Sequence, residues 1–189
     1  MKHSYRIAPF AIVMLLSVYY FCGVIIFVSL IIAAAIHELG HASTIWLCGG
    51  KVNRISFDAS GMSICGTGIE SFCGEIAVLL AGPTAGLLLT VICANSESKL
   101  LSSVGGISLL LSVYNLLPAL PLDGGRVVSC VIGKLSGADI AERVMEFCGI
   151  IIGGALSIIG AVFMKAALLI AGIWILIVQT GIVKNMRVL

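Results

Sequence analysis

A cluster of ionisable residues lies inside an apolar run too long for one helix. From Ile7 to Cys48 the only charged or imidazole side chains are His37, Glu38 and His41. The run is about twice the roughly 20 residues that a membrane span requires. It therefore predicts two spans folded back on each other, with a tight turn near Tyr20–Gly23. Lys2, His3 and Arg6 ahead of it imitate the start of a signal peptide. The apolar stretch is too long for that, and no small-residue cleavage site follows, so it is read as a span.

Composition agrees. Hydrophobic residues make up 60% of the chain and charged residues 11%, against about 45–50% and about 25% in soluble domains. A water-soluble fold is excluded, and disorder, collagen and coiled coil fall with it. A dispersed net charge of +2 offers nothing to nucleic acid. Seven cysteines without a C-x-x-C pair suggest neither a disulfide framework nor a zinc knuckle. Within apolar runs they behave as small hydrophobes.

Further spans are predicted at Ser71–Ala94, Val104–Leu122, Glu146–Phe163 and Ala166–Val183, for about six in all. Gly49–Glu70, between helices two and three, is polar and partly alternating, which predicts a short β-hairpin or a re-entrant loop. The expected fold is thus an all-α polytopic membrane protein. It forms a single membrane-embedded domain over residues 1–189, with no soluble regulatory domain. Lysine and arginine set the orientation. With cytoplasmic N- and C-termini, that side receives nine of the eleven, leaving only Lys99 and Lys165 outside.

Ionisable groups inside a span imply function by default. His37-Glu38-Leu39-Gly40-His41 is an H-E-x-x-H motif. On a helix, positions i and i+4 share a face, so both imidazoles can bind one Zn²⁺ with Glu38 beside it as general base. At this composition a chance match arises in about one chain in 700. The competing explanation, two buried histidines in a polar helix contact, is therefore weak. A catalytic zinc of this type takes three protein ligands. His3, in the basic N-terminal segment, is a poor candidate for the third.

A better candidate lies where the fourth span closes, at Asn115-Leu116-Leu117-Pro118-Ala119-Leu120-Pro121-Leu122-Asp123-Gly124-Gly125-Arg126. Two prolines three residues apart prevent a regular helix, and Asp123 projects from the break. Irregular backbone at membrane depth must be buried in protein or line a watery cavity. Depth is consistent with this. His37 and His41 lie about 9–15 Å below a helix end near Leu47, and Asp123 is close to the interfacial Arg126. An ordinary helix cap or a pair with Arg126 is the alternative role for Asp123, and Glu75 is the next carboxylate to consider.

Together the two motifs resemble the site-2 protease family of intramembrane zinc metalloproteases. The six-span layout is most similar to the sporulation subgroup, which processes a membrane-associated pro-sigma factor. The resemblance implies one zinc per chain on His37, His41 and Asp123, with Glu38 as general base. It also implies that Asn115, with Pro118 and Pro121, helps to hold the substrate. The expected activity is hydrolysis of a peptide bond within or next to a membrane segment of a protein such as a pro-sigma or anti-sigma factor. Membrane regulatory partners are compatible with that activity.

The sequence departs from the family in three respects. Ala81-Gly82-Pro83-Thr84-Ala85-Gly86 carries glycine where the family pattern has a polar residue, while Pro83 still predicts a helix kink. Neither a nucleotide-sensing domain nor a PDZ domain is expected. A substrate helix must unwind to expose its backbone, and a strand edge within Lys51–Cys65 could receive it by β-addition. Two other classes compete. A catalytically silent scaffold that binds transmembrane segments would have no use for Glu38. A transporter would be expected to show paired halves with matching interruptions.

Overall fold

The structure, a computed structural model, describes residues 9–58, 61–67 and 71–179, with side-chain surroundings over 19–51 and 71–179. The chain divides into two compact units, Met1–Tyr114 and Asn115–Leu189. The first is built from α1 (Pro9–Leu47), β1 (Lys51–Asp58), β2 (Gly61–Thr67), α2 (Phe72–Cys93) and α3 (Lys99–Asn115). The second holds α4 (Asp123–Ser136), α5 (Ala138–Val162) and α6 (Ala166–Gln179).

In the first unit, α1 is interrupted where the sequence predicts a turn. Gly23 has φ 82° and ψ 169°, a conformation that favours glycine. The Tyr19 and Phe27 rings meet edge to face, with centroids 5.6 Å apart. Eight residues of unbroken helix would separate them by about 12 Å, so the chain bends sharply at Gly23. Beyond the bend, Ser29, Ala33, His37, His41 and Ile45 are buried at a spacing of four, whereas Leu39 is 59% exposed. One stripe of α1 thus faces protein and the other face suits lipid.

After α1, β1 and β2 pair antiparallel in a two-stranded sheet, with Lys51 opposite Thr67 and Asp58 opposite Gly61. They occupy the segment for which the sequence predicts a hairpin or a re-entrant loop. The Ser71 hydroxyl caps α2 by accepting from the Gly74 N–H at 2.9 Å. Helices α1 and α2 meet at small residues. A Cβ at Gly40 would lie 2.6 Å from the Ala81 carbonyl oxygen. Between α2 and α3, Ser108 Oγ donates to the Gly86 carbonyl at 2.9 Å, and Thr90 Oγ1 to the Gly105 carbonyl at 3.1 Å. These bonds satisfy hydroxyls where lipid cannot.

Within the second unit, α5 and α6 run antiparallel. Gly149 faces Gln179, Gly153 faces Leu176, and Gly160 faces Leu169. Gly172 on α6 meets Ser157, so small residues on both helices allow close backbone approach. Gly137, with φ 95°, makes the sharp turn from α4 into α5.

The structure corrects several boundaries. The fourth predicted span, Val104–Leu122, ends as a helix at Asn115, because the residues around Pro118 and Pro121 are not helical. Asp123–Ser136, which lies between the predicted spans, is helix α4, a short amphipathic segment that a search for apolar runs overlooks. Helix α5 starts at Ala138 rather than Glu146, since Asp139, Glu142 and Arg143 extend it by polar turns. Among the described residues, three helices are long and apolar enough to cross a membrane: Tyr19–Leu47, Phe72–Cys93 and Ala138–Val162. Helix α6 is shorter, at 14 residues. The expected spans from Ile7 and to Val183 begin and end outside the described residues, as does His3. The chain is an integral membrane protein.

Candidate metal centre

The H-E-x-x-H sequence lies in the unbroken part of α1, and the helix places both imidazoles on its buried stripe. His37 is 4% exposed, Glu38 8% and His41 7%. The two Nε2 atoms are 3.3 Å apart, with the rings edge to face. His41 Nδ1 donates to the Val78 carbonyl of α2 at 2.7 Å. That bond puts the proton on Nδ1 and leaves the Nε2 lone pair as an acceptor or a ligand.

The donor set fits zinc. Two Zn–N bonds of about 2.0–2.1 Å at a tetrahedral angle hold their nitrogens about 3.3–3.4 Å apart, which matches the separation found. Neutral imidazole is a preferred zinc ligand, and a backbone carbonyl behind one of the pair is the usual orienting partner.

Helix α2 forms the wall of this pair at Gly82. A Cβ there would run into His41 Nε2 and lie 2.8 Å from His37 Nε2. Gly82 and Val78 thus shape the imidazole pair, a part that the sequence alone does not assign to them. The signal was present in Ala81-Gly82-Pro83, yet only contact across helices reveals which atom needs the space. Position 86, where the family pattern has a polar group, is filled from α3 instead, because a Cβ at Gly86 would overlap Ser112 Oγ.

The other expected residues belong to the second unit. Asp123 is the first residue of α4 and is buried at 7% exposure. A carboxylate there benefits from the helix dipole. Gly124 and Gly125 let the break approach α4 closely. A Cβ at the first would overlap the Leu116 carbonyl, and at the second the Ala119 carbonyl. Asn115 and Pro121 are half-buried and Pro118 is exposed. Glu75, the fallback carboxylate, lies in the first turn of α2.

Comparison with known proteins bears on this geometry. Residues 8–132 match the family described as Peptidase M50B-like. A zinc metalloprotease of Methanocaldococcus jannaschii is 24% identical over 160 residues, covering 80% of this chain and 47% of that protein. A protein of Synechocystis sp. whose name also refers to zinc metalloprotease activity is 29% identical over 142 residues, covering 67% of this chain and 38% of that protein. The chain spans less than half the length of the curated relatives it matches. The solved site-2 protease from M. jannaschii superposes with a TM-score of 0.72 at 21% identity. It covers 90% of this chain and 85% of that one, which establishes a shared fold. The chain belongs to the Peptidase M50B-like family, the site-2 proteases.

Proposed function

We propose that this chain is a zinc-dependent intramembrane endopeptidase, with one zinc held by His37, His41 and Asp123. The observation that carries the reading is the buried imidazole pair on the H-E-x-x-H helix, whose 3.3 Å nitrogen separation suits a tetrahedral metal. When bound, zinc supplies Lewis-acid polarisation of the scissile carbonyl and acidifies water. Glu38 accepts the proton of the water that attacks the carbonyl carbon. It then delivers that proton to the amide nitrogen as the C–N bond breaks. His41, held by the Val78 carbonyl through Nδ1, would offer its Nε2 to the metal.

The substrate is a membrane-embedded or membrane-associated protein. Its scissile segment must be unwound, because helical amides are internally bonded. One edge of the β1–β2 sheet can accept the unwound strand, and Asn115, Pro118 and Pro121 can help to hold the substrate. The resemblance favours a pro-sigma or anti-sigma factor as substrate. The N- and C-termini are cytoplasmic, as the lysine and arginine asymmetry indicates.

Co-expression with tagged candidate membrane substrates tests the reading. Wild type should release a truncated product that Glu38→Gln does not. Equal cleavage by both would refute it.

A further inference from the structure

Helix α6 is apolar from Ala166 to Val178 and ends on Gln179. A strongly polar side chain on such a helix invites a functional explanation. Its carboxamide nitrogen donates to the Leu120 carbonyl at 2.9 Å, across 59 positions of sequence. That carbonyl belongs to the non-helical stretch between α3 and α4, three residues before Asp123.

The route of the side chain is built. Gln179 crosses α5 at Gly149, where a Cβ would collide with the carboxamide and lie 2.6 Å from Cγ. The stretch it grips rests on the first turn of α4, through the glycine contacts of Gly124 and Gly125 already described. Within it, the Leu122 N–H donates to the Ala119 carbonyl at 2.9 Å, and the Arg126 N–H to the Leu122 carbonyl at 3.0 Å. A non-helical carbonyl in an apolar medium needs a partner that only protein can give. Gln179 gives one to Leu120.

We propose that Gln179 is a positioning residue for the Asp123 carboxylate, acting by fixing the backbone of the Leu116–Leu122 stretch from the end of α6. This inference rests on the reading of Asp123 as a metal ligand. Groups that orient ligands typically contribute about 10–100-fold to metal affinity, and Gln179 should fall in that range.

The test is the zinc dissociation constant of the full chain in detergent, by competition with a chelating dye, beside the Tm of the zinc-free protein. Gln179→Met keeps the length and removes the donor. Gly149→Ala displaces the carboxamide while leaving Gln179 in place, and it decides alone should Gln179→Met fail to fold. Both should bind zinc about 10–100-fold more weakly than wild type. A merely structural Gln179 would lower Tm and leave zinc affinity unchanged in the folded variants, which overturns the proposal. Asp123→Asn, measured in parallel, separates the two levels. Weak binding there with wild-type affinity in the other variants removes only the role of Gln179. Wild-type affinity in Asp123→Asn removes the ligand assignment and the inference with it.

Discussion

His41 Nε2 lies 3.3 Å from His37 Nε2, and the Val78 carbonyl, bound to the opposite nitrogen of His41, determines which atom of that ring faces its neighbour. The pair is thus arranged by two helices. The H-E-x-x-H helix supplies the spacing, and α2 supplies the tautomer and the room.

That room depends on Gly82. Gly82→Ala places a methyl group against both Nε2 atoms, and neither the helix backbone nor the rings can yield without losing the arrangement. Zinc affinity should fall at least about 100-fold, beyond what orienting groups usually contribute. Metal analysis of the purified variant by mass spectrometry checks this. Stoichiometric zinc would show that the wall is more pliable than the contacts indicate.

A second contact between helices should follow a different course. Ser112 Oγ is buried without a hydrogen-bond partner among the described residues, and it sits where a Cβ of residue 86 would go. Gly86→Ala should destabilise by about 1–3 kcal/mol through overpacking. Ser112→Ala should be nearly neutral, because the hydroxyl it removes contributes no bond. The double variant should recover most of the loss. Detergent unfolding of all four proteins measures the coupling, and additive effects would place the two side chains apart.

Much of this centre was legible from the sequence. His37, Glu38 and His41 could be read because helical spacing alone brings i and i+4 together. The break before Asp123 could be read because Pro118 and Pro121 exclude regular helix. Helix α4 was missed because Arg126, Lys134 and its glycines give a polar composition that resembles a loop. The parts played by Gly82, Val78 and Gln179 were not legible, since each depends on an atom of another segment 37 or more positions away in sequence.

The proposed third ligand, Asp123, has its own test. Asp123→Asn keeps the size of the side chain and removes its charge, so zinc should be lost more than about 100-fold, beyond the range of an orienting group. Chelator competition measures the difference. Retention of wild-type affinity would direct attention to Glu75.

Glu38→Gln should separate metal from chemistry. Zinc stoichiometry should match wild type, while cleavage of a co-expressed membrane substrate falls about 10²–10⁴-fold, as expected for loss of a general acid–base group. Substrate crosslinking should persist. Loss of zinc along with activity would make Glu38 a ligand instead.

Zinc K-edge X-ray absorption of the purified chain can detect a zinc centre built on the imidazole pair. The expected spectrum is that of one zinc per chain with four nitrogen or oxygen neighbours at about 2.0–2.1 Å and the scattering signature of two imidazoles. That signature should disappear in His37→Ala/His41→Ala. Sulfur neighbours at about 2.3 Å, or a spectrum unchanged in the double variant, would contradict it.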